Sequence, residues 1–332
     1  TLPASVGGYV NLFTMAPDLP LFQDILAAAA RIAVHAHVTP VLRSVTLDQL
    51  TGAELHLKSE HLQRVGAFKF RGACNAVWSL EEATASAGVV THSSGNHGAA
   101  LALAARTRGI ACHVVVPEGA VAAKVASIAR YGATLHTCAA SITAREEKCA
   151  QVQRDTGATL VHPYTDSHVI AGQGTAALEL LNAVGELDVL VVPVGGGGLA
   201  AGTALAAAAL APACRVILAE PGGAADTARS LAAGERRVDF TPDTLCDGLR
   251  GSLGAPNFTL LQQHRVEVIT VCDDATVQAM RLLWQITKQL VEPSSAIALA
   301  AVLQQRENFA GQRVGLILSG GNVDLDALPW SR

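Results

Sequence analysis

The sequence predicts an α/β fold with largely parallel sheets. Short runs rich in valine and isoleucine recur along the chain, each run is continuous rather than alternating, and helix-forming segments separate them. A strand buried on both faces reads as an unbroken apolar run, and regular strand–helix alternation marks parallel construction. With 332 residues, half of them hydrophobic and 16% charged, the chain can build one large or two medium domains around a sizeable core.

In chain order, the predicted strands are residues 88–91, 112–116, 134–137, 160–162, 189–194, 216–219, 266–271 and 314–318. Helix formers fill 99–108, 122–131, 142–156, 172–184 and 274–290. The stretch 189–214 has no charged residue and is long enough to span a membrane. It also holds Pro193, the glycines Gly195 to Gly198, Gly202 and Pro212, which predict a strand, a glycine turn and an alanine-rich helix instead. No membrane segment is therefore expected. The apolar run Ala27–Ala30 has no Lys or Arg before it, so it does not read as a signal peptide. No linker or repeat is visible, and the chain stops soon after its last predicted strand, so no appended regulatory domain is expected.

A net charge of -4 and only 4% aromatic residues speak against nucleic acid as a partner. Seven cysteines lie far apart with no C-x-x-C pair. That pattern predicts reduced, mostly buried thiols in a cytoplasmic protein, and no zinc site.

Three glycine-rich or polar turns follow predicted strands. Ser93-Ser94-Gly95-Asn96-His97-Gly98 precedes a helix, where unsatisfied backbone N–H groups attract an anion. A single Ser or Asn would suffice for an ordinary helix cap, and this run is longer than a cap needs. Gly195-Gly196-Gly197-Gly198 also opens a helix, and its amides suit a phosphate. The same run fits a loose dinucleotide pattern through Gly196, Gly198 and Ala201, with Glu220 about 20 residues on, so a nicotinamide-dependent oxidoreductase is a rival reading. Ser319-Gly320-Gly321-Asn322 is the third turn. Strand ends of a parallel sheet face the ligand crevice, so the three turns are expected to converge. Lys69 stands between Phe68 and Phe70, where burial would lower its pKa and free the amine to attack an aldehyde. Elsewhere, Glu220 and Asp226 bracket a loop carbonyl at Ala224; spacing alone favours a solvated loop over a cation site there.

Taken together, these motifs resemble the serine racemase and serine/threonine dehydratase family of fold-type II pyridoxal phosphate enzymes. The resemblance runs from His37-Val38-Thr39-Pro40-Val41-Leu42 to Ser319-Gly320-Gly321-Asn322-Val323-Asp324. It takes in Lys58, Glu60, Gln63, the Lys69 block, Ser93 to Gly98, Ile170-Ala171-Gly172-Gln173-Gly174-Thr175 and the glycine run. It implies two open, mostly parallel sheets with helices on both faces, a large domain of residues 1–87 and 166–332, and a small mobile domain of 88–165. It also implies a homodimer. Lys69 would hold pyridoxal phosphate as a Schiff base and move the α-proton on one face, with Ser94 as acid/base on the other. Gly195, Gly196, Gly197 and Gly198 would bind the phosphate, Asn96 the ring oxygen and Ser319 the ring nitrogen. Phe68 and Gly248 would flank the ring. The substrate carboxylate would lie against Ser93, Asn96 and His97. Glu220, Ala224 and Asp226 fall on the racemase-like cation site, for magnesium or calcium.

The implied activity is an ammonia-lyase reaction, β-elimination from serine, threonine or 3-hydroxyaspartate, with amino-acid racemisation as the alternative from the same carbanion. Ser94, where many threonine dehydratases of this family carry alanine, places the turn nearer the racemase and 3-hydroxyaspartate dehydratase branch. Arg145 matches a family arginine able to reach a side-chain carboxylate, and a bidentate arginine would favour an acidic substrate. Pairing with Glu146 or Glu147 on an exposed helix is an equal reading of Arg145. The chain departs from the family at Ala67 and Gly251, where relatives carry serine.

Overall fold

The computed structural model describes residues 19–120 and 122–330. The start of the expected large domain, residues 1–18, as well as residues 121, 331 and 332, lie outside the described residues. The strands are β1 (Val41–Leu42), β2 (Glu54–Ser59), β3 (Val89–His92), β4 (Cys112–Pro117), β5 (Thr134–Cys138), β6 (Thr159–Leu160), β7 (Val189–Pro193), β8 (Arg215–Pro221), β9 (Glu267–Val271) and β10 (Arg313–Leu318). They form a six-stranded sheet in the order β1-β2-β10-β7-β8-β9 and a four-stranded sheet in the order β5-β4-β3-β6. Every pairing is parallel except that of β1 with β2. The fold is therefore α/β with two open, mostly parallel sheets, as expected.

The first half supplies helices α1 (Phe22–Ile32), α2 (Val45–Thr51), α3 (Lys69–Ser79), α4 (Glu82–Ala85), α5 (Asn96–Arg108), α6 (Ala122–Arg130) and α7 (Ile142–Thr156). The second supplies α8 (Ser167–Val184), α9 (Gly198–Leu210), α10 (Asp226–Ala233), α11 (Ala255–Gln263), α12 (Asp273–Leu282) and α13 (Pro293–Gln304). The uncharged stretch 189–214 is β7, the glycine turn and α9, and among the described residues no helix is long and apolar enough to cross a membrane. The seven cysteines are free; Cys74, Cys112, Cys149 and Cys246 are buried, while Cys272 is exposed.

Three expectations are corrected. The helix predicted over 274–290 stops as α12 at Leu282; a π-helical turn, Leu283–Thr287, follows, and Lys288 takes a left-handed φ of 59° that ends the run. Strands β5, β6 and β9, each at a sheet edge, are not buried on both faces, and β6 is Thr159–Leu160 rather than 160–162. Strand β2 was not foreseen, since Glu54, His56 and Lys58 break its apolar run, yet it sits in the middle of the large sheet between β1 and β10.

The Gly172-Gln173-Gly174-Thr175 motif earns its glycines by close packing. A Cβ on Gly172 would lie 2.6 Å from Gly72 Cα, and one on Gly174 would lie 2.9 Å from Gly202 O. Helix α8 can thus touch both α3 and α9 backbone to backbone, at separations no side chain would allow.

Candidate active site

Lys69 is the first residue of α3, and both sides of that helix start are fixed. Phe68 N–H donates to Ser319 O (3.0 Å), Gly321 N–H donates to Gly66 O (2.9 Å), and Ala67 pairs with Gly320 in an isolated antiparallel bridge. The lysine block is thereby stitched to the turn after β10. Behind it, Gln173 Oε1 accepts from Gly72 N–H (3.1 Å). The fully buried Arg71 forks onto Glu60 at 2.7 and 2.8 Å and onto Glu179 at 2.7 and 2.8 Å. Lys58 Nζ joins the network through Thr39 O (2.8 Å) and Glu179 (2.5 Å).

The Lys69 Nζ donates to Pro163 O (2.9 Å) and lies 5.2 Å from the centre of the Phe68 ring. Neither is an anion, so burial without a counter-charge pushes the amine from its usual 10.5 down to about 8. The nearby imidazoles add no negative charge. Burial first, then His92 and Lys69, hold His162 at about 3.

The Ser93 turn ends at Gly95, the residue capping α5, with Ser93 Oγ accepting from Gly95 N–H (3.3 Å). Ala99 N–H donates to Gly95 O (3.3 Å), and among the described residues the amides of Asn96, His97 and Gly98 have no acceptor in the first turn. Asn96 is engaged at both ends: Nδ2 donates to Glu292 Oε1 (2.9 Å) and Oδ1 accepts from Asn322 Nδ2 (2.9 Å). His97 is 2% exposed and pairs through Nε2 with Val161 O (3.2 Å), so its ring belongs to the interior and its backbone N–H is what it offers the turn. Burial, followed by Lys69, depresses its pKa well below the ordinary value. Ser93 and Ser94 remain half-buried at the turn.

In the glycine run, Gly197 has φ 91° and caps α9. A Cβ on Gly195 would lie 2.7 Å from Leu249 Cα, and one on Gly196 would lie 2.4 Å from the Tyr164 ring. Gly195 and Gly197 are buried, and among the described residues the amides of Gly195, Gly196 and Gly197 have no hydrogen-bond acceptor. Buried donors normally find partners, so this is a loop built to receive an acceptor-rich group such as a phosphate. Asn257 Nδ2 ties it to Tyr164, donating to Gly196 O (2.5 Å) and Tyr164 O (2.9 Å), and Tyr164 follows the Pro163 that holds Lys69. Ser294 links two further positions: its Oγ accepts from Gly248 N–H (3.0 Å) and its carbonyl from Ser319 Oγ (3.5 Å). Hydrogen bonds thus bring the Lys69, Ser93, Gly195 and Ser319 segments together.

Glu220 and Asp226 form a separate buried cluster. Glu220 accepts from Thr227 N–H (2.7 Å) and Ala228 N–H (2.9 Å) at the start of α10, and Asp226 Oδ2 accepts from Leu253 N–H (2.7 Å). Burial raises Glu220 to about 7 and Asp226 to about 6. Asp226 Oδ1 is buried with no hydrogen-bond partner, and Ala224 is buried beside the pair in the 3-10 turn Gly222–Ala224. An orphaned carboxylate oxygen of this kind fits a hard cation. Arg145, on α7, places Nε 3.4 Å from Ser141 O, and its charge acts on His92 at the end of β3.

Sequence reasoning missed Glu292 and Tyr164; it named Asn322 in its turn but not the bond to Asn96. Glu292 is 3% exposed, raised to about 7 by burial and then by Asp247, and its Oε2 has no partner. The Glu-Pro-Ser-Ser start of α13 was the available signal for it.

A model of the family described as "Pyridoxal-phosphate dependent enzyme" matches residues 32–320. The chain is 49% identical to the β-hydroxyaspartate dehydratase of Paracoccus denitrificans (strain Pd 1222) over 94% of this chain and 99% of that one. It is 46% identical to the serine racemase of Dictyostelium discoideum over 92% and 96%. The maize serine racemase structure superposes with a TM-score of 0.91 at 45% identity, covering 92% of this chain and 95% of that one. The acceptor-free glycine amides and the depressed, uncompensated lysine suit that family's cofactor, with a phosphate at one end and an aldehyde at the other. The chain belongs to the pyridoxal-phosphate dependent enzyme family and has the architecture of its fold-type II members.

Proposed function

We propose that the protein is an ammonia-lyase that eliminates water from a β-hydroxy amino acid, with 3-hydroxyaspartate, serine and threonine as the candidate substrates. The observation that carries this is the buried Lys69 amine, held by the Pro163 carbonyl rather than by a carboxylate and joined through Pro163, Tyr164 and Asn257 to the glycine run. Bound pyridoxal phosphate supplies an electron sink that acidifies the α-proton of an amino acid joined to it.

Lys69 would hold the cofactor, and its Nζ is the group that would take the α-proton. Gly195 to Gly198 would hold the phosphate, Asn96 and Ser319 the ring oxygen and nitrogen, and Phe68 and Gly248 would flank the ring. Ser93 and the amides of Asn96 and His97 hold the substrate carboxylate. Proton loss at Cα and departure of the β-hydroxyl as water leave an enamine, which hydrolyses to an oxo acid and ammonia. Arg145 is the residue for a β-carboxylate, and the 49% identity to a β-hydroxyaspartate dehydratase supports 3-hydroxyaspartate first.

A second reading, racemisation, is favoured by Ser94 at the turn and by the serine racemase relative. There Ser94 returns a proton to the opposite face before water leaves. Glu220, Asp226 and the Ala224 carbonyl would hold magnesium or calcium. We further propose a small domain of residues 88–165 that closes on substrate, a homodimer, and a cytoplasmic setting in keeping with the free thiols. The deciding experiment incubates the holoenzyme with L- and D-serine, threonine and the 3-hydroxyaspartate diastereomers, scoring oxo acid, ammonia and chirality together. Oxo acid and ammonia from one diastereomer are expected; recovery of only inverted amino acid would overturn the lyase reading.

A further inference from the structure

Tyr164 is pinned by its surroundings more firmly than a loop residue needs to be. Its N–H and that of Thr165 both reach His162 Nδ1 (3.4 and 3.1 Å), and its carbonyl accepts from Asn257 Nδ2 (2.9 Å). Its ring meets the His162 ring edge-on with centroids 4.6 Å apart. The base of the ring lies on Gly196, where a Cβ would come within 2.4 Å of it. The far edge reaches Gly251: a Cβ there would sit 3.5 Å from Tyr164 Cε1 and 3.8 Å from the hydroxyl oxygen. Ser252 is the polar neighbour of that hydroxyl. The ring therefore forms a wall running from the phosphate loop to residue 251, one residue from the carbonyl that holds Lys69.

We propose that Tyr164 is a specificity-determining residue: its phenolic hydroxyl binds the carboxylate on the substrate's β-carbon and replaces the donor that Gly251, lacking a side chain, cannot offer. This rests on the reading of the enzyme as acting on β-hydroxy amino acids and selects within it for the four-carbon dicarboxylic member. With no side chain at 251, that residue leaves uncovered the edge of the ring that carries the hydroxyl.

The test uses the holoenzyme and its Tyr164→Phe variant, which keeps the ring and removes one oxygen. A hydrogen bond to a charged group is worth about ten- to a hundredfold in affinity. KM for 3-hydroxyaspartate is expected to rise by about that factor, with kcat, KM for serine and the visible cofactor absorbance within about twofold. Direct calorimetric titration with succinate, which does not react, is expected to show the same loss and does not depend on which substrate is turned over. Because a Cβ at 251 stands at ordinary contact distance from the ring, Tyr164→Phe/Gly251→Ser is expected to recover succinate binding to within about threefold of the original. Unchanged succinate affinity in Tyr164→Phe, or equal losses on serine and 3-hydroxyaspartate, would overturn the proposal. Absence of 3-hydroxyaspartate turnover in the unaltered enzyme would instead count against the substrate assignment, leaving the succinate result to decide the role of Tyr164.

Discussion

At the residue scale the chemistry turns on which charges lack partners. Lys69 has only a carbonyl and an aromatic ring beside it, and its amine is correspondingly easy to deprotonate. Lys69→Ala is expected to lose both turnover and the visible cofactor absorbance; turnover above about one per cent in that variant would contradict the role given to it. Glu220 and Asp226 are raised to about 7 and about 6 from ordinary values of 4.5 and 3.8. A carboxyl whose folded pKa lies above its unfolded one binds more protons in the folded state, so these two cost stability as pH rises from about 4 to about 7. A cation that binds the ionised pair removes the cost. Magnesium or calcium should therefore raise the thermal midpoint clearly at pH 8 and little at pH 5; a gain equal at both would argue against binding at these carboxylates. Ser93 to Gly98 and the glycine run were legible because each follows a strand end, and Lys69 because it stands between two aromatic residues. Glu292 and Tyr164 were not, because they act across 196 and 32 residues of chain on partners that only the fold brings near: Asn96 for the first and Gly196 for the second.

At the scale of elements, α3 carries Lys69, the lysine proposed to react, and is held by an ion network rather than by packing alone. Arg71, Glu60, Glu179 and Lys58 join α3, the turn after β2, and α8. Removing one partner leaves a buried charge unpaired, at a typical cost of about 3–5 kcal/mol. Arg71→Ala is thus expected to lower denaturation stability by about that much, measured by urea unfolding of the holoenzyme; a loss below about 1 kcal/mol would mean that the network contributes nothing. The same network explains why β2 was illegible. Lys58 points into it from a central strand, so the strand's polar residues look like a surface pattern although Lys58 is 1% exposed. By contrast β7 and β10, apolar over most of their length, were read from the sequence almost to the residue. α12 was overrun because nothing local in the sequence marks the left-handed Lys288.

Over the whole molecule, side-chain contacts near the proposed cofactor site connect the four-stranded sheet to the six-stranded one. Asn96 of α5 bonds Glu292 and Asn322, and Lys124 of α6 forms an ion pair with Asp247 beside Gly248. If residues 88–165 move as a unit, these contacts form on closure. Partly exposed ion pairs contribute about 0.2–1 kcal/mol, so Lys124→Ala should raise KM by no more than about fivefold with kcat within twofold. The charge-swapped pair Lys124→Asp/Asp247→Lys should restore KM; failure to do so would separate that ion pair from substrate binding. The parallel sheets and their helical layers were visible in the run of apolar segments. The placement of one sheet against the other was not, since it rests on side chains such as Asn96 and Lys124 whose partners lie more than a hundred residues away.

The most direct test is chemical. Borohydride reduction of the purified holoenzyme, followed by peptide mass spectrometry, should place a reduced pyridoxyl phosphate adduct on Lys69 and on no other lysine. An adduct on Lys58, Lys124 or another lysine, or an unmodified Lys69 peptide, would contradict the assignment from which the proposed chemistry follows.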